Sequence, residues 1–184
     1  KFLVDVDEKE KQAYFCAIEN MARPVLIAAS TREGEEEKVL AAFKRCLAEI
    51  PSLLLVLIPR HPERFAKASK LSEDKGFTTV RRSDDGLVEP NIQVLIGDSM
   101  GEMLDYYSVA TIAFVGGSLV DTGCQNVLEP AAMGIPILVG PSQYNFATIC
   151  KQLEHAGGLK TIQNEMELAP VSYTHLTLPM NREV

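Results

Sequence analysis

The chain has 184 residues, 46% hydrophobic and 23% charged, enough for one domain with a substantial core and too few for two large ones. A net charge of −7 argues against broad binding to the phosphate backbone of nucleic acid, although a local anion site remains compatible with it. No apolar run reaches the roughly 18 residues that span a bilayer, and four dispersed cysteines without a CxxC pair favour neither a disulfide framework nor a zinc site. Residues 1–23 begin with a short strand-like piece and become a polar helix, which reads as a lead-in or interdomain hinge. Apolar, β-rich runs follow at 25–29, 53–58, 78–82, 93–97, 112–116 and 137–140, alternating with helical patterns. Such alternation predicts an α/β domain over 24–169, a Rossmann-like, mostly parallel sheet with helices on both faces. Between the first two strands, Val39, Leu40, Phe43, Leu47 and Ile50 recur at helical spacing. Glu35, Glu36, Glu37, Lys38, Lys44 and Arg45 are expected on the other faces. A last helix is expected over 164–169. Residues 170–184 hold two prolines and no clear period, and read as a foreign or atypical tail; His175 in it receives no role.

The stretch 111–140 is the most informative. A buried strand runs into Gly116, Gly117 and Ser118, then a loop, then a helix opening near Asn126 and carrying Glu129, then another strand. Glycines let backbone amides approach a ligand, and a helix start favours negative charge, so this segment is expected to cradle a phosphate while Glu129 accepts ribose hydroxyls. A capping role for Asn126 and Glu129 is the plainer alternative. Three further loops end strands at the same sheet edge. Ser30 and Arg32 follow the first strand, with hydroxyls able to cap the next helix and a guanidinium able to reach an anion. Pro59, Arg60 and His61 close the second between two prolines, which makes a rigid cationic corner. Met100, Gly101 and Glu102 follow the fourth. Neither a GxGxxG fingerprint nor a P-loop occurs, so no NAD, nucleoside-triphosphate or other cofactor is expected. Neither Asp5-Val6-Asp7 nor Asp84-Asp85 is placed to bridge a metal to phosphate, and no metal is expected. Cys46 and Cys150 read as small core residues; Cys124, in the site loop, lacks a visible activator.

Taken in order, ASTREGEEE, PRHPER, GDSMGEM, FVGGSLV and NVLEPAAMGIP resemble the bacterial 3-deoxy-D-manno-octulosonic acid (Kdo) transferases of lipid A glycosylation. Glu129 to Pro136 also fits the broader E-x-x-A-x-G-x-P pattern of two-domain GT-B glycosyltransferases. The resemblance implies the C-terminal, donor-binding half of such an enzyme, with CMP-Kdo as ligand. It assigns Pro59 and Arg60 to CMP, lines the pocket with Met100, Gly101 and Glu102, and gives Asn126, Val127, Leu128 and Glu129 to the ribose and phosphate region. Ser30, Arg32 and His61 are lesser candidates. The usual family loop is GGHNPLE, whereas this chain has Gly123-Cys124-Gln125-Asn126-Val127-Leu128-Glu129, which retains Asn126 and Glu129.

The implied reaction is inverting transfer of Kdo from CMP-Kdo to a lipid A precursor at the cytoplasmic face of the bacterial inner membrane. By the same resemblance, the general base, the acceptor groove and most membrane contact belong to an N-terminal half. This chain alone is expected to be soluble and inactive in transfer. A UDP-sugar enzyme of the same architecture and a non-catalytic nucleotide-binding module are the alternative readings.

Overall fold

The computed structural model describes residues 2–177. Its sheet has seven strands, all parallel: β1 (Val25–Thr31), β2 (Leu54–Pro59), β3 (Thr79–Arg81), β4 (Val94–Ile96), β5 (Ile112–Val115), β6 (Ile137–Val139) and β7 (Leu159–Thr161), in the spatial order β3-β4-β2-β1-β5-β6-β7. The six strands read from sequence are all present. The seventh, Leu-Lys-Thr at an edge, was not expected because three residues after Gly157 and Gly158 carry no apolar run.

Among the described residues seven α-helices accompany the strands, α1 (Phe2–Asn20), α2 (Glu35–Glu49), α3 (Phe65–Asp74), α4 (Met103–Ser108), α5 (Leu128–Ala132), α6 (Ala147–His155) and α7 (Glu165–Thr177), with a single 3-10 turn at Pro62–Arg64. Strand alternation sends Leu26, Ala28, Leu55, Leu57, Ile112 and Phe114 to one face, where they pack on Val39, Leu40 and Phe43 of α2 and Leu168 of α7. Ile27, Ala29, Leu54, Val56 and Ala113 point to the opposite face. There they meet Tyr14, Phe15 and Ile18 of α1 and Tyr106 and Tyr107 of α4. Both faces of the central strands are therefore dry, which is why those strands read as unbroken apolar runs.

Two differences from the sequence reading concern the ends. The backbone is helical from Phe2, so no strand opens the chain, and α1 is part of the core, with Tyr14, Phe15 and Ile18 no more than 5% exposed. At the other end, α7 does not stop at Ala169 but continues past Pro170 to Thr177, with Ser172 buried. The rest of the expected tail, 178–184, and the side chains of Asp5, Asp7 and His175 lie outside the described residues. Among the described residues no helix is long and apolar enough to cross a membrane.

A third difference is larger. Glu35 and Glu36, expected on a solvated face, are 0% and 1% exposed. Glu36 forms a two-pronged ion pair with Arg64, Nε to Oε1 and Nη2 to Oε2 at 3.1 Å each, and also accepts from the Thr31 hydroxyl. Glu35 accepts from backbone N–H groups: Arg32 and Gly117 on Oε2 at 2.8 and 2.7 Å, and Leu119 on Oε1 at 2.9 Å. A buried charge survives only with partners of this kind, and most of these partners come from distant segments.

Candidate functional site

In a doubly wound sheet, ligands bind beyond the carboxyl ends of the strands where the strand order reverses. Here the chain leaves β1 toward β2 on one side and returns through β5 on the other, so the reversal falls between β1 and β5. A cleft of about 290 Å³ opens at that edge. Its walls come from the ends of β1 and β2 (Ser30, Pro59, Arg60), the loop after β4 (Ser99, Met100, Gly101) and the loop after β5 (Gln125, Asn126, Glu129), with Phe65, Met103 and Tyr106 behind.

Seven of the expected residues are thus brought together: Ser30, Pro59, Arg60, Met100, Gly101, Asn126 and Glu129. Arg60 is exposed, and its Nε donates to the Gln125 Oε1 at 3.3 Å. The Glu129 carboxylate is half-buried, with no hydrogen bond or ion pair among the described residues, so it is available to a ligand. Asn126 Oδ1 accepts from Leu128 N–H at 2.9 Å in the turn that leads into α5, whose N-cap is Val127 and whose first residue is Leu128, two residues later than the sequence suggests. Met100 is 72% exposed, which presents an apolar, deformable surface of the kind that packs on a ring.

Ser30 takes a larger part than its standing as a lesser candidate. Its φ is +55°, and the β1–β2 register slips between Ala29 and Thr31, so Ser30 is an extra residue bulged out of β1 into the cleft. Left-handed backbone at a non-glycine residue is uncommon and clusters at functional sites. Gly116 makes the bulge possible: a Cβ there would lie 2.4 Å from the Ser30 carbonyl oxygen.

The expected phosphate cradle of glycine-loop amides is not how that loop is built. Gly116 N–H donates to Ala29 O at 2.7 Å, while Gly117 and Leu119 N–H are held by the Glu35 carboxylate. The Ser118 hydroxyl donates to Val115 O at 2.6 Å and accepts from Gly140 N–H at 2.8 Å, with the residue fully buried. The glycines serve close backbone packing instead. A Cβ on Gly117 would meet Gly123 O at 2.2 Å, and one on Gly140 would meet Ser118 O at 2.2 Å. Gly116, Gly117 and Ser118 therefore support the cleft from beneath without lining it.

Other candidates divide similarly. Glu102 turns away to a two-pronged ion pair with Arg82, at 3.0 and 3.1 Å, and accepts from the Ser99 hydroxyl. Arg82 in turn lies 4.0 Å over the Tyr14 ring, which ties α1 to the loop after β4. Val127 is buried in the core beneath β5 and β6, and Leu128 is exposed outside the cleft. Arg32 and His61 lie beside the cleft and pair with each other, Nη1 to Nε2 at 2.9 Å. Neither Ser30 nor Ser99 caps a helix; α2 starts from Gly34, at φ +87°, and α4 from Glu102.

Sequence reasoning missed Gln125, Phe65, Met103 and Tyr106. Gln125 sits directly before Asn126 and was visible by adjacency, whereas Tyr106 reaches the cleft only because its hydroxyl lies 2.8 Å from the Ser99 hydroxyl. Burial pushes the Tyr106 phenol well above its ordinary range, with the Ser99 bond opposing, so it acts as a neutral group. Cys124 is fully buried, and burial first, with the adjacent Cys150 thiol second, raises its pKa to about 12, which removes it as a nucleophile. Among the described residues no three or more His, Cys, Asp or Glu side chains gather as a metal site would require.

No family model matches the chain. It is 44% identical over 142 residues to the 3-deoxy-D-manno-octulosonic acid transferase of Haemophilus influenzae, covering 77% of this chain and 33% of that protein. It is 42% identical over 139 residues to the enzyme of the same name from Bordetella pertussis, covering 73% of this chain and 32% of the relative. The chain thus spans about a third of the length of these curated relatives. The crystal structure of the C-terminal CMP-Kdo binding domain of WaaA from Acinetobacter baumannii superposes with a TM-score of 0.86 at 31% identity, over 94% of this chain and 90% of that one. With its seven-stranded parallel sheet and this near-complete structural match, the chain belongs to the Kdo transferase family and has the fold of that family's C-terminal, GT-B donor-side domain.

Proposed function

We propose that the chain is the donor-binding domain of a glycosyltransferase that moves Kdo from CMP-Kdo to a lipid A precursor, with inversion, in lipopolysaccharide core synthesis. The observation that carries the reading is the cleft at the strand-order reversal, where an exposed Arg60, a bulged Ser30 and an unpaired, half-buried Glu129 converge from three separate loops. The Arg60 guanidinium suits the phosphate, because a planar donor set forms charge-assisted bonds to its oxygens. Glu129 accepts from the ribose hydroxyls, and Met100 and Gly101 pack against the base. As CMP departs it gains negative charge, and Arg60 stabilises that charge where it develops.

No cleft residue is assigned as general base. Glu129 serves the nucleotide and Glu102 is committed to Arg82; the base, the acceptor groove and the contact with the cytoplasmic face of the inner membrane belong, on this proposal, to another domain of the whole enzyme.

Titration calorimetry with CMP, UMP, UDP and FMN tests the reading. CMP is expected to bind tightest, and Arg60→Ala and Glu129→Ala are each expected to weaken it by about 1.5–3 kcal/mol, the range for hydrogen bonds to charged groups. Preference for UDP or FMN, or CMP binding indifferent to both substitutions, would overturn it.

A further inference from the structure

Three bases gather at the ends of β1 and β2 without a matching acid. Arg60 N–H donates to Thr31 O at 2.9 Å, which sets Arg60 beside the residue that precedes Arg32, on neighbouring strands roughly 4.8 Å apart. Of the acids nearby, Glu33 and Glu36 are committed to Arg64 and Glu35 to the backbone amides, while Glu129 lines the cleft with Arg60 and makes no ion pair with it. No described carboxylate forms an ion pair with Arg32, Arg60 or His61.

The Arg32–His61 contact has only one possible sense. A guanidinium has donors alone, so Arg32 Nη1 donates and His61 Nε2 accepts, which makes the ring neutral with its proton on Nδ1. His61 thereby fixes the plane of the guanidinium without adding charge. Arg32 Nε is nevertheless buried and has no partner among the described residues. A buried, unmatched N–H on a permanent cation is a place for an anionic acceptor.

Resting on the donor reading above, we infer that Arg32, oriented by His61, binds the carboxylate of a 2-ulosonic acid donor. In such a sugar nucleotide the carboxylate and the phosphate oxygen are attached to the same carbon, so the two anions sit side by side and need two adjacent cations. Arg60 takes the phosphate and Arg32 the carboxylate. An aldose has no carboxylate on its anomeric carbon, so this pair selects the class of sugar, whereas the cleft proper selects the nucleotide.

The test is calorimetry of this chain with CMP and with freshly prepared CMP-Kdo. Arg32→Ala is expected to leave CMP affinity within about twofold and to weaken CMP-Kdo about tenfold or more; retained CMP binding shows in the same experiment that the variant is folded. Arg32→Lys, which keeps charge but not the planar fork, is expected to lose most of the same increment. His61→Ala is expected to weaken CMP-Kdo alone, and His61→Gln, which retains an acceptor, to restore it. Equal weakening of CMP and CMP-Kdo by Arg32→Ala would mean that Arg32 serves the phosphate and would overturn the inference, as would no effect on CMP-Kdo. A wild-type chain that binds CMP but not CMP-Kdo also overturns it while leaving the nucleotide site standing. Failure of the wild-type chain to bind CMP would remove the donor reading and this inference together.

Discussion

Replacing Glu35 by glutamine isolates the support of the site from the site itself. All three hydrogen-bond partners of the carboxylate are donors, with Arg32 and Gly117 N–H on one oxygen and Leu119 N–H on the other, so a proton on either oxygen would find no acceptor among them. Burial raises the carboxyl's pKa above its ordinary value, and the three backbone bonds oppose that shift. A glutamine of the same shape could keep its Oε1 on Arg32 and Gly117, and its amide would then face Leu119 N–H. One buried donor would be unmatched, at about 1–3 kcal/mol. Two charge-assisted bonds would become neutral ones of roughly half the strength, at about 1 kcal/mol each. Easier burial of the neutral side chain offsets part of this, and the net expectation is about 2–4 kcal/mol of lost stability.

Urea unfolding at pH 7 measures the loss directly, and a fall in Tm of roughly 5–15 °C accompanies it. The arginine, glycine and leucine amides belong to the two loops that meet at the strand-order reversal, so donor affinity of the folded variant is expected to fall as well. A stability change below about 0.5 kcal/mol would refute the claim that Glu35 holds the two loops together.

Other perturbations probe the remaining parts. Gly117→Ala combines φ +78° with a Cβ placed 2.2 Å from Gly123 O, and is expected to cost at least about 2 kcal/mol or to prevent folding; near-normal stability in thermal melts would contradict the packing role of that loop. Of the four cysteines only Cys16 is exposed, so a thiol reagent at pH 8 is expected to label one site rapidly and three only on unfolding. Burial lifts Cys46 from 9.0 to about 11 and Cys124 to about 12, so these thiols ionise in the unfolded chain before the folded one. Their contribution is intact below pH 9 and is lost as pH rises toward 12. Urea midpoints that rise between pH 8 and 10 would reverse that sign. Arg82→Met should strand Glu102 and loosen the loop of Ser99 to Gly101, weakening CMP more than it lowers Tm; a variant with unchanged CMP affinity would separate that ion pair from the site.

Much of this architecture was legible because burial on both faces leaves a simple mark. Leu54 to Ile58 and Ile112 to Val115 are continuous apolar runs, and no other local structure suits such short, branched segments between glycines and prolines. The site was legible to the extent that it lies at strand ends: Arg60, Met100, Asn126 and Glu129 each follow a readable strand or loop signal. Glu35 and Glu36 were misjudged because charge at a helix start looks solvated, and their partners are supplied in part by Gly117 and Leu119, more than eighty positions away, and by Arg64. The glycine loop misled for a related reason. Glycines permit close approach, and sequence alone does not tell whether the approaching group is a phosphate or another stretch of backbone. The bulge at Ser30 left no trace, since it depends on the missing Cβ of Gly116, just past the end of a different strand.

A crystal structure of this chain with CMP tests the central claim most directly. The account predicts the phosphate within hydrogen-bond distance of the Arg60 guanidinium, the ribose hydroxyls on the Glu129 carboxylate, and the base against Met100 and Gly101. A nucleotide seated instead in the separate groove between the loops after β5 and β6, against Asp121, Tyr144 and Lys151, would contradict it.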